Sequence, residues 1–158
     1  MNPQSRGTVK LWSTDPRTPA LFDPQLMLHP YDRRVLVTAA RNILAFLQTS
    51  SIAKTIEAPV NMPLDERGEA SDAEEDIVAF LKENVRSTWH MSGTCKMGTP
   101  DDGMAVVDSQ FRVRGVEGLR VVDLSVLPFL LNAHPVAAAY AVGEIAAEKI
   151  WKGYGEGR

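Results

Sequence analysis

An alanine-rich apolar run between Pro135 and Trp151 limits the possible folds more than any other part of the sequence. The run begins at a proline, which suits the first helical position because its missing N–H would have no intrahelical acceptor there. Alanines at 137–139, 141 and 146–147 make the expected helix apolar on most of its faces. The run therefore predicts a helix that is buried on most sides.

The rest of the chain contains short strand-like and helix-like segments that do not alternate regularly. Residues 7–13 alternate as a strand does. Apolar spacing predicts one helix capped by Asp32 and another that follows a capping box at Ser71–Glu74. Further strand patterns lie at 106–108, 111–113 and 119–123. This mixture favours an α+β fold over a doubly wound sheet.

Composition excludes several classes of partner. The net charge of −3 over 158 residues offers no basic footprint for nucleic acid. No apolar run approaches the roughly 20 residues that a membrane span needs, and the first six residues lack the features of a signal peptide. Cys95 is the only cysteine, so no disulfide can form within the chain, and the cellular compartment stays open.

Two of the three histidines lie in settings unlike ordinary surface sequence. His90 belongs to the loop Trp89–Gly98, which is rich in small residues and would let a ligand approach the backbone closely. His134 directly precedes Pro135 and is predicted to occupy the N-cap of the final helix. Two imidazoles held near the ends of structural elements are suited to proton transfer at neutral pH.

Each histidine also has a purely structural interpretation. His134 could serve only as a helix cap, and His90 could serve only as a hydrogen-bonding residue of the fold. His29, in a loop before Pro30, is interpreted as structural or solvated. His90, Cys95 and His134 could supply three zinc ligands, but no C-x2-C or H-E-x-x-H spacing supports such a site. We therefore expect no metal.

A carboxylate, Asp123, ends the strand pattern at 119–123. Its side chain can accept hydrogen bonds from a bound polar group or cap a turn, and the pattern favours the turn. The sequence contains neither a G-x-S-x-G elbow nor a G-x-G-x-x-G motif after a strand. The chain therefore lacks a dinucleotide-binding fingerprint of its own.

Taken together, these segments resemble the C-terminal domain of the glucose-methanol-choline (GMC) family of FAD-dependent oxidoreductases. The loop Trp89–Gly98 is similar to the family's first active-site histidine motif. Other similar segments are the flavin-proximal strand at 106–108, 115–123 and 125–128, the second active-site position at 132–135 with its helix, and the opening pattern at 3–7 and 29–32. The resemblance covers nearly the whole chain.

The resemblance implies oxidation of a small-molecule alcohol by hydride transfer to the flavin of FAD. His90 would match the base that takes the hydroxyl proton. His134 would match the second active-site residue, which hydrogen-bonds the substrate oxygen. The backbones of Asp123–Leu124 and Pro135–Val136 would lie against FAD.

The resemblance also implies a partner, because family members carry a large N-terminal FAD-binding domain with a Gly-rich fingerprint. We expect residues 1–152 to form the substrate-side domain and 153–158 a frayed tail. The expected fold is an antiparallel sheet of about six strands with helices on one face, plus a C-terminal strand–helix segment. That segment would pack on the missing domain or on a partner chain, and without it Val136, Tyr140 and Val142 would be exposed.

Two functional hypotheses remain open at this point. In the first, the chain is the catalytic C-terminal part of an alcohol oxidoreductase that is inactive without its FAD-binding domain. The alternative is a truncated, non-catalytic remnant or a binding module. The presence of both His90 and His134 favours the first hypothesis, although the sequence identifies neither the alcohol nor the acceptor that reoxidises the flavin.

Overall fold

The computed structural model describes residues 3–55, 61–132 and 134–155. The chain divides into two compact units, of which the N-terminal one is Pro3–Arg86 and the C-terminal one begins at Ser87. Both histidines of interest lie in the C-terminal unit. Helices together with a small antiparallel sheet make the fold α+β, as predicted.

The N-terminal unit contains a two-stranded antiparallel ribbon and two helices. Strand β1 (Thr8–Lys10) pairs with β2 (Leu21–Asp23). Helix α1 spans Pro30–Thr49, and α2 spans Glu74–Asn84. A short 3-10 turn at 51–55 follows α1. The ribbon is exposed along both strands, because two strands alone cannot bury a face.

Helix α1 begins two residues before the predicted cap. His29 occupies the N-cap, where its Nδ1 accepts the N–H of Tyr31 at 3.1 Å, so its structural interpretation is confirmed. Asp32 lies inside the first turn and is buried. Its carboxylate accepts the backbone N–H of Gln4 at 2.8 Å and that of Ser5 at 2.6 Å, together with the Ser5 hydroxyl. Asp32 thus fastens the start of the chain to α1.

The predicted capping box before α2 is wrong. Ala73 is the N-cap residue and has no side-chain cap. The Ser71 hydroxyl instead accepts the N–H of Ala73 at 3.2 Å and donates to Asp76. The helix is held by its buried face, since Ile77 and Val78 pack with Val37 of α1 in one apolar cluster.

The C-terminal unit holds a 3-10 turn at Leu124–Val126 and helix α3 at Val136–Gly155. Helix α3 begins one residue after the predicted start, and the carbonyl of Pro135 accepts the N–H of Ala139 at 3.0 Å. His134 is therefore not the cap that the sequence predicted. The helix also continues past its predicted end near Trp151 and ends at Gly155, so its last turn includes residues that were expected in the tail.

The core of this unit joins α3 to the 124–126 turn and to the loops before it. Its buried members are Val107, Phe111, Val126, Val142 and Ala146. The prediction that Val142 is exposed is wrong, since this side chain is only 8% exposed. Val142 and Ala146 lie four residues apart and share the helix face that packs on Val126.

The strand patterns after Met97 appear as isolated bridges. Val107 pairs with Met97 on one side and with Val113 on the other, and Arg112 pairs with Arg120. Glycines at 115 and 118, with φ of 75° and 73°, turn the chain before longer ladders can form. In the described residues the named sheet has two strands, and the expected six are not confirmed. None of the described helices is long and apolar enough to cross a membrane.

Candidate active site

His90 and His134, the two predicted catalytic residues, are in direct contact. The Nε2 atom of His90 lies 3.1 Å from the Nδ1 atom of His134, across 44 residues of sequence. The ring centroids are 5.2 Å apart, and the ring planes are nearly perpendicular at 81°. One of the two facing nitrogens carries the hydrogen and the other accepts it. The contact is open to solvent on the side of His134, which is exposed.

The His90 loop follows an unusual backbone path. Trp89 has a positive φ of 63°, a conformation that is rare for a bulky side chain, and its N–H donates to the Ser87 hydroxyl at 3.1 Å. Gly93 also has a positive φ, of 85°, and a Cβ there would lie 3.2 Å from the Leu127 carbonyl. Glycine thus lets this loop pass close to the chain that follows the 124–126 turn.

Two backbone hydrogen bonds join the end of the His90 loop to the 124–126 turn. The N–H of Cys95 donates to the carbonyl of Ser125 at 3.0 Å, and that of Met97 to the carbonyl of Val126 at 2.8 Å. This turn follows directly on Asp123, one of the residues expected to lie against the cofactor. The loop expected to carry the first active-site histidine and the expected flavin-proximal segment are therefore neighbours.

His134 approaches the contact from the start of α3. Its φ is 47°, in the left-handed region, which redirects the chain just before Pro135. Pro135 is buried, and the helix it leads into packs on Val126 through Val142 and Ala146. Both histidines are thus held relative to the same buried residue, Val126.

Asp123 caps the 124–126 turn. Its Oδ1 atom accepts the N–H of Ser125 at 2.7 Å, which confirms the turn interpretation of this carboxylate. Leu124 begins the turn and is half-buried, whereas Val136 at the start of α3 is 61% exposed. The first N–H groups of an α-helix have no acceptor within the helix, so the N-terminus of α3 can donate to a bound group.

The structure also pairs Lys96 with Asp102, a contact that the sequence analysis did not anticipate. Lys96 Nζ lies 2.8 Å from Asp102 Oδ2, and Arg114 Nη2 donates to the carbonyl of Gly98 at 2.7 Å. The pKa of Asp102 is lowered chiefly by the hydrogen bond from Lys96 and then by the N–H of Met104. Among the described residues, no group of three or more His, Cys, Asp or Glu side chains is placed to hold a metal.

One face of α3 is apolar and exposed. Val136 and Tyr140 lie on it, as the sequence predicted, at 61% and 75% exposure. Trp151 and Tyr154 continue this face at the spacing of helical turns and are also exposed. The opposite face carries the core residue Val142. We call the exposed face, which carries Tyr140, Trp151 and Tyr154, the aromatic face of α3.

Comparison with known proteins identifies the chain's relatives. The family model described as GMC oxidoreductase matches residues 3–143. Versicolorin B synthase of Aspergillus parasiticus is 38% identical over 149 residues, which cover 94% of this chain and 23% of that protein. An oxygen-dependent choline dehydrogenase of Rhizobium etli is 41% identical, over 93% of this chain and 26% of that protein.

A solved structure gives the same result. An FAD-dependent oxidoreductase from Chaetomium thermophilum superimposes with a TM-score of 0.78 at 32% identity, over 97% of this chain and 26% of that one. The chain therefore spans about a quarter of the length of these relatives. Sequence motifs, fold and relatives agree that the chain belongs to the GMC oxidoreductase family and corresponds to its C-terminal domain.

Proposed function

We propose that this chain is the C-terminal catalytic part of an FAD-dependent oxidoreductase that acts on the CH–OH group of an alcohol. The observation that carries the proposal is the 3.1 Å contact between His90 Nε2 and His134 Nδ1. Residues far apart in sequence thus supply two facing imidazole nitrogens, beside a helix N-terminus. Relatives that include a choline dehydrogenase support the alcohol as substrate class.

The described residues fit the flavin end of FAD. The first N–H groups of α3 and the positive end of its dipole suit an electron-rich edge that gains negative charge on reduction. We assign the backbones of Asp123–Leu124 and Pro135–Val136 to this contact. The ADP end has no counterpart in the sequence, which lacks a Gly-rich phosphate loop. That part of the site belongs to the FAD-binding domain found in the longer relatives.

The proposed chemistry assigns separate tasks to the two histidines. When bound, FAD supplies the acceptor for the hydride. The alcohol oxygen replaces the direct contact of the rings, donating its hydrogen to His90 Nε2 and accepting the Nδ1 hydrogen of His134. His90 takes the hydroxyl proton as the hydride leaves carbon, so that the O–H and C–H bonds break and a carbonyl forms. His134 keeps its hydrogen bond to that oxygen throughout.

The exposed parts of the chain fit a larger assembly. We propose that the β1–β2 ribbon is completed to about six strands by the remainder of the enzyme. We further propose that the aromatic face of α3 packs on the FAD-binding domain. Both surfaces are apolar and open in this chain, and apolar surfaces of this kind mark interaction sites.

A chimera tests the proposed function. This chain replaces the matching C-terminal part of the Rhizobium etli choline dehydrogenase, and FAD content and flavin reduction by choline and other alcohols are measured anaerobically. We expect a yellow protein whose flavin is bleached by at least one alcohol. A chimera that binds FAD but is reduced by dithionite alone would support the alternative of a non-catalytic remnant.

A further inference from the structure

We propose that Asp102 is a positioning residue for His90, acting through its ion pair with Lys96. The catalytic consequence rests on the proposed function, whereas the effect on the geometry of the histidine pair does not. Residues 95–98, the segment that ends the His90 loop, are held by hydrogen bonds on both sides.

The segment 95–98 is bonded to two neighbours at once. On one side lie the bonds of Cys95 and Met97 to the 124–126 turn. On the other side, the carbonyl of Lys96 accepts the N–H of Val106 at 2.9 Å, and the N–H of Gly98 donates to the carbonyl of Val107 at 3.2 Å. The segment therefore lies between the 124–126 turn and residues 106–107, as a central strand would.

Asp102 lies in the loop that connects the segment 95–98 to residues 106–107. Its backbone joins two turns, since its N–H donates to Thr99 and its carbonyl accepts from Ala105, both at 3.0 Å. Its carboxylate lies over Gly98, where a Cβ would be only 2.7 Å from Oδ2. From this position Oδ2 reaches Lys96 Nζ at 2.8 Å. The carboxylate thus links Asp102 to Lys96 in the segment 95–98.

A second cation, Arg114, supports the same loop and the ionised form of Asp102. Arg114 donates to the carbonyl of Gly98, and its charge also favours the ionised form of Asp102. The N–H of Met104 donates to the other carboxylate oxygen, Oδ1, at 3.0 Å. The carboxylate is therefore oriented by a backbone donor while it bonds Lys96, which fixes the direction of the ion pair.

The ion pair between Lys96 and Asp102 matters for His90 because His90 and His134 are positioned by different segments of the chain. His134 is positioned by α3, whose side chains pack on Val126. His90 is positioned by the segment 95–98, whose Met97 bonds the carbonyl of the same Val126. Loosening the segment 95–98 is expected to move the His90 ring and to leave the His134 ring in place. We therefore expect the ion pair to control the nitrogen–nitrogen distance.

The test uses the full 158-residue chain with 15N-labelled histidine and measures the ring signals of all three histidines by NMR. Asp102→Asn removes the ion pair but keeps an oxygen for the Met104 N–H. Lys96→Gln removes it from the other side. Asp65→Asn is the matched control, because Asp65 also combines a turn, backbone N–H acceptance and an ion pair with Arg67 at 3.2 Å.

We expect Asp102→Asn and Lys96→Gln to weaken or abolish the coupling between the His90 and His134 ring nitrogens, while the His29 signals stay unchanged. Asp65→Asn should leave the coupling intact. A coupling unchanged in both ion-pair variants overturns the proposal. If both variants unfold the chain by circular dichroism, the pair is a folding element and the positioning role is likewise overturned.

The catalytic consequence is measured separately in the chimera. Misplacing His90 should lower the rate constant of flavin reduction by up to about 10²-fold, with a much smaller change in the apparent affinity for the alcohol. Lys96→Arg, which restores the charge, should recover most of the rate. A lost nitrogen coupling with an unchanged rate would leave the positioning of His90 intact and would instead count against His90 as the base.

Discussion

Met97 donates its backbone N–H to the carbonyl of Val126 at 2.8 Å, and the Val126 side chain is buried against α3. This bond connects the loop that carries His90 to the 124–126 turn, which in turn packs on the helix that follows His134. The two rings, whose facing nitrogens are 3.1 Å apart, are thus carried by segments that meet at the buried cluster containing Val126.

Val126→Ala should consequently destabilise the C-terminal unit. The side chain is 2% exposed, and truncating it leaves a cavity in the core, at a cost of about 1–3 kcal/mol in the free energy of unfolding. Val116→Ala is the control, because Val116 is 51% exposed and should change stability by less than about 0.5 kcal/mol. Urea unfolding followed by circular dichroism measures both. Equal costs at the two positions would contradict the assigned core.

Asp32 should make stability depend on acid pH. Burial raises the pKa of this carboxyl, but hydrogen bonds from the Ser5 hydroxyl and the Gln4 and Ser5 amides outweigh burial and lower it overall. A lowered folded-state pKa means that the stabilisation is complete above the ordinary pKa and is lost as pH falls through the folded-state value.

Asp32→Asn tests this dependence, with unfolding in urea followed between pH 7 and pH 3. We expect the variant to lose about 1.5–3 kcal/mol at pH 7, the usual contribution of hydrogen bonds to a charged group. The difference from the parent chain should shrink towards pH 3. A difference that stays constant with pH would show that Asp32 is not ionised when it bonds residues 4 and 5.

His134→Asn should be milder than His134→Ala in the chimera. Asparagine offers an amide in place of the imidazole and tolerates the left-handed backbone observed at φ 47°. Alanine has neither property, so it should lose more of the rate of flavin reduction. The opposite order, with alanine the faster variant, would argue that His134 contributes neither a hydrogen bond nor a backbone constraint.

The 158-residue chain by itself should be colourless and should tend to associate. It offers donors only for the flavin end of FAD, and the aromatic face of α3 is open to solvent. Absorbance at the flavin band, calorimetry with FAD and light scattering measure these properties. A yellow chain with stoichiometric FAD and alcohol-dependent bleaching would contradict this expectation.

The family could be predicted from local motifs, and so could the candidate histidine pair, because His90 and His134 each lie in a distinctive stretch of sequence. The fold class could be predicted too, as could α3, since its alanine-rich run leaves little choice. The exposure of Tyr140 followed from the same run, but the burial of Val142 did not. Which face of a mostly apolar helix meets its own unit depends on packing in the buried cluster that contains Val126.

Other features depended on contacts that spacing does not encode. The Ser71 hydroxyl bonds Asp76 and the Ala73 amide rather than forming a capping box, because a competing side-chain acceptor lies within reach. The ion pair of Asp102 with Lys96 arises only because the backbone at Gly98 passes close to the Asp102 carboxylate. The sequence signal for this ion pair was the presence of opposite charges, Lys96 and Asp102, on either side of Gly98.

The central claim, that His90 is the proton acceptor, is tested most directly by stopped-flow reduction of the flavin in the chimera carrying His90→Ala. We expect the rate constant to fall by about 10²–10⁴-fold, the usual worth of a positioned base. His29→Asn is the control and should keep the parent rate, because asparagine can replace the cap of α1. A rate in His90→Ala close to that of the control would contradict the account.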